Sequence, residues 1–138
     1  MIETQDLVVP VAGSNMEMGD AMDQARATIG DFFKAFENPQ PGQTGFSIKA
    51  RFEDDCASEH IWLAELDFTT RPATGVVANE PQIESVSFME RVPFLPDQIS
   101  DWMYLEHGRL MGGFTTRVLL RASKRGGLLD LLTSPRKM

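Results

Sequence analysis

Apolar residues recur at helical spacing early in the chain: Met22, Ala25, Ile29, Phe32, Phe33 and Phe36 share one stripe, with Asp23, Gln24, Lys34 and Glu37 on other faces. Recurrence at three and four residues predicts an amphipathic helix that buries one side. Asp20 stands where an N-cap belongs. Asn38-Pro39 stops the helix, because the residue before a proline avoids helical dihedrals. Gly30 in the middle of that helix costs about 1 kcal/mol relative to alanine, which predicts close packing against it. The polar side carries acids and is not lysine-rich, so the stripe reads as core and not as a membrane face.

After a loop at Pro39-Gln40-Pro41-Gly42-Gln43 the period changes to two. Phe46, Ile48, Ala50 and Phe52 alternate with Ser47, Lys49, Arg51 and Glu53, which predicts a half-buried strand with the second set on a wet face. Glu53 to Ser58 turns the chain, and the run from Glu59 to Phe68 returns as the second arm of an antiparallel hairpin. His60, Trp62, Ala64, Leu66 and Phe68 share one face, with Ile61 and Leu63 on the other, so the centre of this strand is expected to be covered on both sides. A turn at Arg71 to Gly75 precedes a short strand, Val76 to Ala78, ending at Asn79-Glu80-Pro81. Ile83, Val86 and Phe88 supply further core. Pro93 removes a ladder donor between Val92 and Phe94, which makes that run an edge, a bulge or barely a strand. Trp102 to Glu106 and Arg109 to Met111 flank a tight turn in which Gly108 supplies the positive φ.

From Phe114 the pattern fits two structures. Phe114, Thr116, Val118 and Leu120 fit a strand; Phe114, Val118, Leu119 and Ala122 fit a helix, with Gly112-Gly113 breaking the strand before it. The helix is the preferred reading, ended by Gly126-Gly127 and followed by a short terminal turn at Leu128 to Leu132. The fold class expected is α+β: an N-terminal amphipathic helix packed on a bent antiparallel sheet, with a short C-terminal helix. Residues 1–15 form an arm whose valines dock as an edge strand or stay mobile, residues 16–122 a single domain, and residues 123–138 a basic tail.

Composition narrows the function classes. With 138 residues the chain is long enough to bury a core without staples. A net charge of −7 argues against nucleic-acid binding, which needs a basic surface. Cys56 is the single cysteine, so no internal disulfide forms, consistent with a reducing compartment. The N-terminus has acid where a signal peptide has Lys or Arg, and the apolar run Leu7 to Ala12 is too short to span a bilayer. The expectation is a soluble, cytoplasmic protein that binds neither nucleic acid nor membrane.

Catalytic signals are sparse. There is no Gly-x-Ser-x-Gly elbow, and Asp54 and Asp55 oppose thiolate formation at Cys56. His60 and His107 each follow a glutamate, but neighbours on a strand point to opposite faces, and no metal-ligand spacing is present. Phosphate-loop motifs are absent, so Gly112-Gly113 reads as a tight turn. Paired carboxylates at Asp54–Asp55 and Asp97–Asp101 decide nothing in an acidic chain. No catalytic residue, metal or cofactor is therefore assigned. What remains is a set of polar residues in apolar surroundings, notably Asp101 beside Trp102 and Arg117 beside Val118. A partly buried carboxylate needs donors, so Asp101 and Arg117 are expected to meet, or to cap each other's turns. The functional alternative has both lining a cleft with His60, Trp62 and Tyr104.

Four ordered islands carry a resemblance: Glu59-His60-x-Trp62; Gly75-x-x-x-Asn79-Glu80-Pro81; Ile99-x-Asp101-Trp102-Met103-Tyr104; and Gly108 to Gly113 followed by Thr115-x-Arg117. With the preceding helix and the Phe46 strand, they resemble the YegJ-like family of uncharacterised bacterial proteins, from about Ala21 to Leu120. Met89-Glu90 and Pro93 depart from the turn and strand that the resemblance implies there. The family implies a fold and no activity. Together these readings favour a non-enzymatic binding or protein-interaction module with a protein partner or a small ligand. The alternative is a small enzyme or metabolite binder around Asp101, Arg117 and His60. Candidate binding residues are His60, Trp62, Asn79, Asp101, Trp102, Tyr104, Thr115 and Arg117.

Overall fold

The computed structural model describes residues 12–126, with side chains from 16 to 124. Two helices, α1 (Ala12–Ala27) and α2 (Ile29–Glu37), precede strands β1 (Gln43–Glu53), β2 (Ser58–Asp67), β3 (Ala73–Val77) and β4 (Arg91–Phe94). A 3₁₀ turn at Pro96–Gln98 leads to β5 (Ile99–Glu106), β6 (Arg109–Gly112) and helix α3 (Phe114–Gly126). The six strands form one antiparallel sheet in the order β4-β3-β2-β1-β5-β6. The α+β expectation holds, including the helix from Phe114 and the edge position of the Pro93 strand.

The expected single helix is two. Helix α1 begins before Asp20, which lies inside it and caps nothing. The break falls at Thr28, with φ −112° and ψ 12°. There the Ala25 carbonyl accepts the Trp102 indole N–H at 3.1 Å, and the Thr28 hydroxyl folds back onto the Gln24 carbonyl at 2.8 Å. An indole inserted into the helical ladder is a recognised cause of a kink. Gly30 follows the kink and faces open space, so close packing does not explain it. Beyond the kink the apolar stripe behaves as read: Phe32 is fully buried against Phe33, Phe36, Phe46 and Trp102. Burial of one such ring contributes about 1.5–3 kcal/mol.

The hairpin of β1 and β2 closes with Glu53 opposite Ser58, as the alternation predicted. Ile48, Leu63 and Trp102 stand side by side and face the helices. Three register shifts bend the sheet, and the one in β2 changes the faces. Glu65 sits at φ +45°, so Leu66 and Phe68 turn to the helix side and join the core, away from Trp62. A bulge adds one residue and reverses the alternation after it, which a strict period of two does not reveal. Two further expectations fail. Phe88 is exposed, while Ile83 and Val86 are buried as expected. Ser47 and Lys49, assigned to the wet face of β1, are buried.

The β5–β6 turn holds His107 at φ +52° and Gly108 at φ +80°, the two positive values of a tight hairpin turn. Gly112 has φ +75°, and a Cβ there would lie 2.4 Å from the Trp102 carbonyl oxygen. Only glycine fits, and the chain is thereby turned from β6 into α3, which packs beside α1. Residues 1–11 of the expected arm and 127–138 of the expected tail, including Leu128 to Leu132, lie outside the described residues.

Candidate functional site

Strand β5 sorts the candidate residues by parity. Trp102 and Tyr104 face the helices; Asp101 faces the other side of the sheet. The register sets Asp101 opposite Lys49 and Lys49 opposite Trp62, so the three stand in a row across β5, β1 and β2. Asp101 is wholly buried. Its Oδ1 accepts the backbone N–H groups of Trp102 at 2.8 Å and Phe114 at 3.2 Å. Its Oδ2 accepts the Thr115 N–H at 2.9 Å and the Thr115 hydroxyl at 2.5 Å. Helix α3 follows Gly113 and so has no side-chain cap of its own. Asp101 supplies the missing acceptor from the sheet, where the helix dipole also favours a negative charge.

Lys49 completes the group. Its Nζ donates to the Thr115 hydroxyl oxygen at 2.9 Å and lies 5.3 Å from the centre of the Trp62 ring. Burial lowers its pKa from the ordinary 10.5, and the Asp101 charge offsets part of that. Sequence reasoning missed Lys49 because alternation alone put it in water. The available signal was that both strands beside it carry a chemistry-bearing residue at its level.

Arg117 does not meet Asp101. It is exposed, and its guanidinium donates to the carbonyls of Gly112 at 2.9 Å and Leu110 at 2.8 Å, closing the end of β6. The reciprocal capping is therefore half right: Asp101 caps the helix that carries Arg117, and Arg117 holds a different turn. Asn79 accepts the Trp62 backbone N–H on its side-chain oxygen at 2.8 Å, tying the loop after β3 to β2. His60 pairs with Arg51 across the hairpin, and its Nδ1 lies 2.8 Å from the hydroxyl of the fully buried Ser100. Burial first, and then the charges of Lys49, Arg51 and Arg26, hold its pKa below 6.5.

Trp102 and Tyr104 belong to a second place. Tyr104 stacks between Phe46, with centroids 4.9 Å apart, and Trp102, at 6.0 Å. The edges of Tyr104 and Trp102 line a cleft of about 380 Å³ that also takes in Asp31, Lys34, Gln40, Gln43 and Met111. The eight candidates thus divide between the side of the sheet away from the cleft (His60, Trp62 and the buried Asp101, joined there by Thr115 of α3), two structural turns (Asn79 and Arg117) and this cleft (Trp102 and Tyr104). They do not converge on one pocket. Among the described residues, no group of three or more His, Cys, Asp or Glu is placed to hold a metal ion, and no helix is long and apolar enough to cross a membrane. Cys56 is exposed in the β1–β2 turn, where Asp54 accepts the N–H groups of Cys56 and Ala57.

Comparison with known proteins agrees with the ordered islands. The family model described as "Uncharacterized protein conserved in bacteria (DUF2314)" matches residues 15–125. The chain is 30% identical over 119 residues to uncharacterized protein YegJ of Escherichia coli (strain K12), an alignment covering 86% of this chain and 76% of that protein. It is 37% identical over 68 residues to a putative ankyrin repeat protein of Neisseria meningitidis serogroup B, covering 49% of this chain and 27% of that one. No solved structure matches it.

Proposed function

The chain belongs to the family of uncharacterized bacterial proteins that its residues 15–125 match, and on that premise we propose that it is a non-enzymatic protein-interaction module for a basic partner. The observation that carries this reading is the engagement of Asp101. All four of its hydrogen bonds hold scaffold groups, and none is left for a substrate. Arg117 is likewise committed to two backbone carbonyls. Charge supports the choice of partner. The chain carries −7 overall; its helices balance exposed Asp20, Asp23, Asp31 and Glu37 with Arg26, Lys34, Arg117, Arg121 and Lys124, and the excess acid is exposed on the strands and loops at Asp55, Glu65, Glu80, Glu84 and Glu90. Such a surface steers a cationic protein toward it. The cytoplasm is the compartment that suits the single free cysteine.

The second reading is a small enzyme or metabolite binder around Asp101, Arg117 and His60. One observation favours it, the contact between His60 and Ser100. Against it stands the full burial of Ser100, which keeps substrate from the hydroxyl.

A thermal-shift screen of the full chain against metabolites, nucleotides and divalent metals tests the proposal. The module reading expects a flat screen, together with a basic protein that co-purifies with the full chain at low salt and is released by high salt. A metabolite that raises the melting temperature of the wild type, but not of His60→Gln or Arg117→Ala, overturns it.

A further inference from the structure

The cleft beside Tyr104 combines three features. The first is the tyrosine itself. Tyr104 is 7% exposed, yet its hydroxyl makes no hydrogen bond among the described residues. The ring is buried, while the hydroxyl itself opens into the cleft and is left for a group that enters there. The second is the lining: the edge of Trp102, Ala35 and Met111 make an apolar wall. The third is the rim. Asp31 carries no ion pair among the described residues, and Glu106, held by the Gln43 amide at 3.1 Å, stands on the same side. After burial, the charges of Glu106 and Asp31 are what raise the Tyr104 pKa, so the hydroxyl sits in the field of both carboxylates.

An apolar wall ending at an anionic rim suits a long side chain with a cationic head, whose methylene stem packs while its charge stays near water. Both faces of the Tyr104 ring are already covered by Phe46 and Trp102, so the ring offers its edge and hydroxyl and not its π-face. We propose that this cleft receives a lysine or arginine side chain of the partner protein, with the stem against Met111 and Trp102 and the head between the Tyr104 hydroxyl and Asp31. The inference rests on the interaction-module reading and names its contact point. Lys34, the one cation on the rim, limits the affinity.

The test is an NMR titration of the full chain with the capped peptide Ala-Ala-Lys-Ala-Ala, beside the same peptide with Met in place of Lys. Saturable shifts at the Met111 methyl, the Gln43 side-chain amide and the Tyr104 ring are expected with the lysine peptide only. Tyr104→Phe keeps the stacked ring and loses no internal hydrogen bond, so it folds; it weakens binding roughly threefold, as does Asp31→Asn, while Lys34→Gln strengthens it by a similar factor. Shifts that are absent, equal for the Met peptide, or spread over the helical layer overturn the assignment. A basic protein that still co-purifies with the full chain under those outcomes leaves the module reading standing and the cleft excluded.

Discussion

The Asp101 carboxylate on β5 accepts both the backbone N–H and the hydroxyl of Thr115 in the first turn of α3. This is an N-cap delivered from another element, which joins the helix to the sheet. Thr115→Val keeps the shape and deletes the hydroxyl, which leaves Lys49 without its acceptor as well. The expected loss is about 1.5–3 kcal/mol in denaturant unfolding, the range for hydrogen bonds to charged groups, with Thr115→Ser close to wild type.

Arg117 and Asp101 share no hydrogen-bond partner. A double-mutant cycle of Asp101→Ala and Arg117→Ala is therefore expected to be additive within about 0.5 kcal/mol. Arg117→Ala alone costs less than about 1 kcal/mol, because the side chain is exposed and its acceptors become accessible to water. Coupling well above that limit would restore a direct pair.

Lys49 is a cation whose burial outweighs the pull of Asp101. Lys49→Met keeps the stem against Trp62 and removes a poorly solvated charge. The expected change in stability is at most about 1 kcal/mol in either direction, since the four hydrogen bonds to Asp101 persist. Unfolding of Lys49→Met under native conditions would show that Asp101 depends on this counter-ion.

His60 has a folded-state pKa below 6.5, so the unfolded chain takes up the proton first. Its contribution is complete above 6.5 and is lost as the pH falls through the folded value. Melts between pH 8 and pH 5 are expected to show stability declining on the acid side, with a smaller decline in His60→Gln. An NMR titration in which His60 protonates above 6.5 would reverse the sign.

Much of the fold was legible because it follows from local chemistry. Phe32 to Phe36 recur at helical spacing, Pro93 forbids a central strand, and Gly108 and Gly112 mark turns that only positive φ allows. The features that were not legible depend on partners distant in sequence. Nothing around Thr28 announces a kink, because its cause is the Trp102 indole, 74 residues away. Nothing around Glu65 announces the bulge that moves Leu66 and Phe68 to the core. Lys49 looked solvated because alternation cannot see Thr115 arriving from α3. The cleft stayed hidden because Gln40 and Gln43 read only as loop, and Tyr104 as one more strand aromatic.

Thermal unfolding of Asp101→Asn tests most directly whether this polar group is scaffold. As a cap and lock, Asp101 loses acceptor capacity and charge on that change, and the melting temperature is expected to fall by about 6–12 °C, equivalent to roughly 2–3 kcal/mol. A residue kept for chemistry at the expense of stability behaves oppositely on neutralisation. A melting temperature equal to or above that of the wild type would contradict the account.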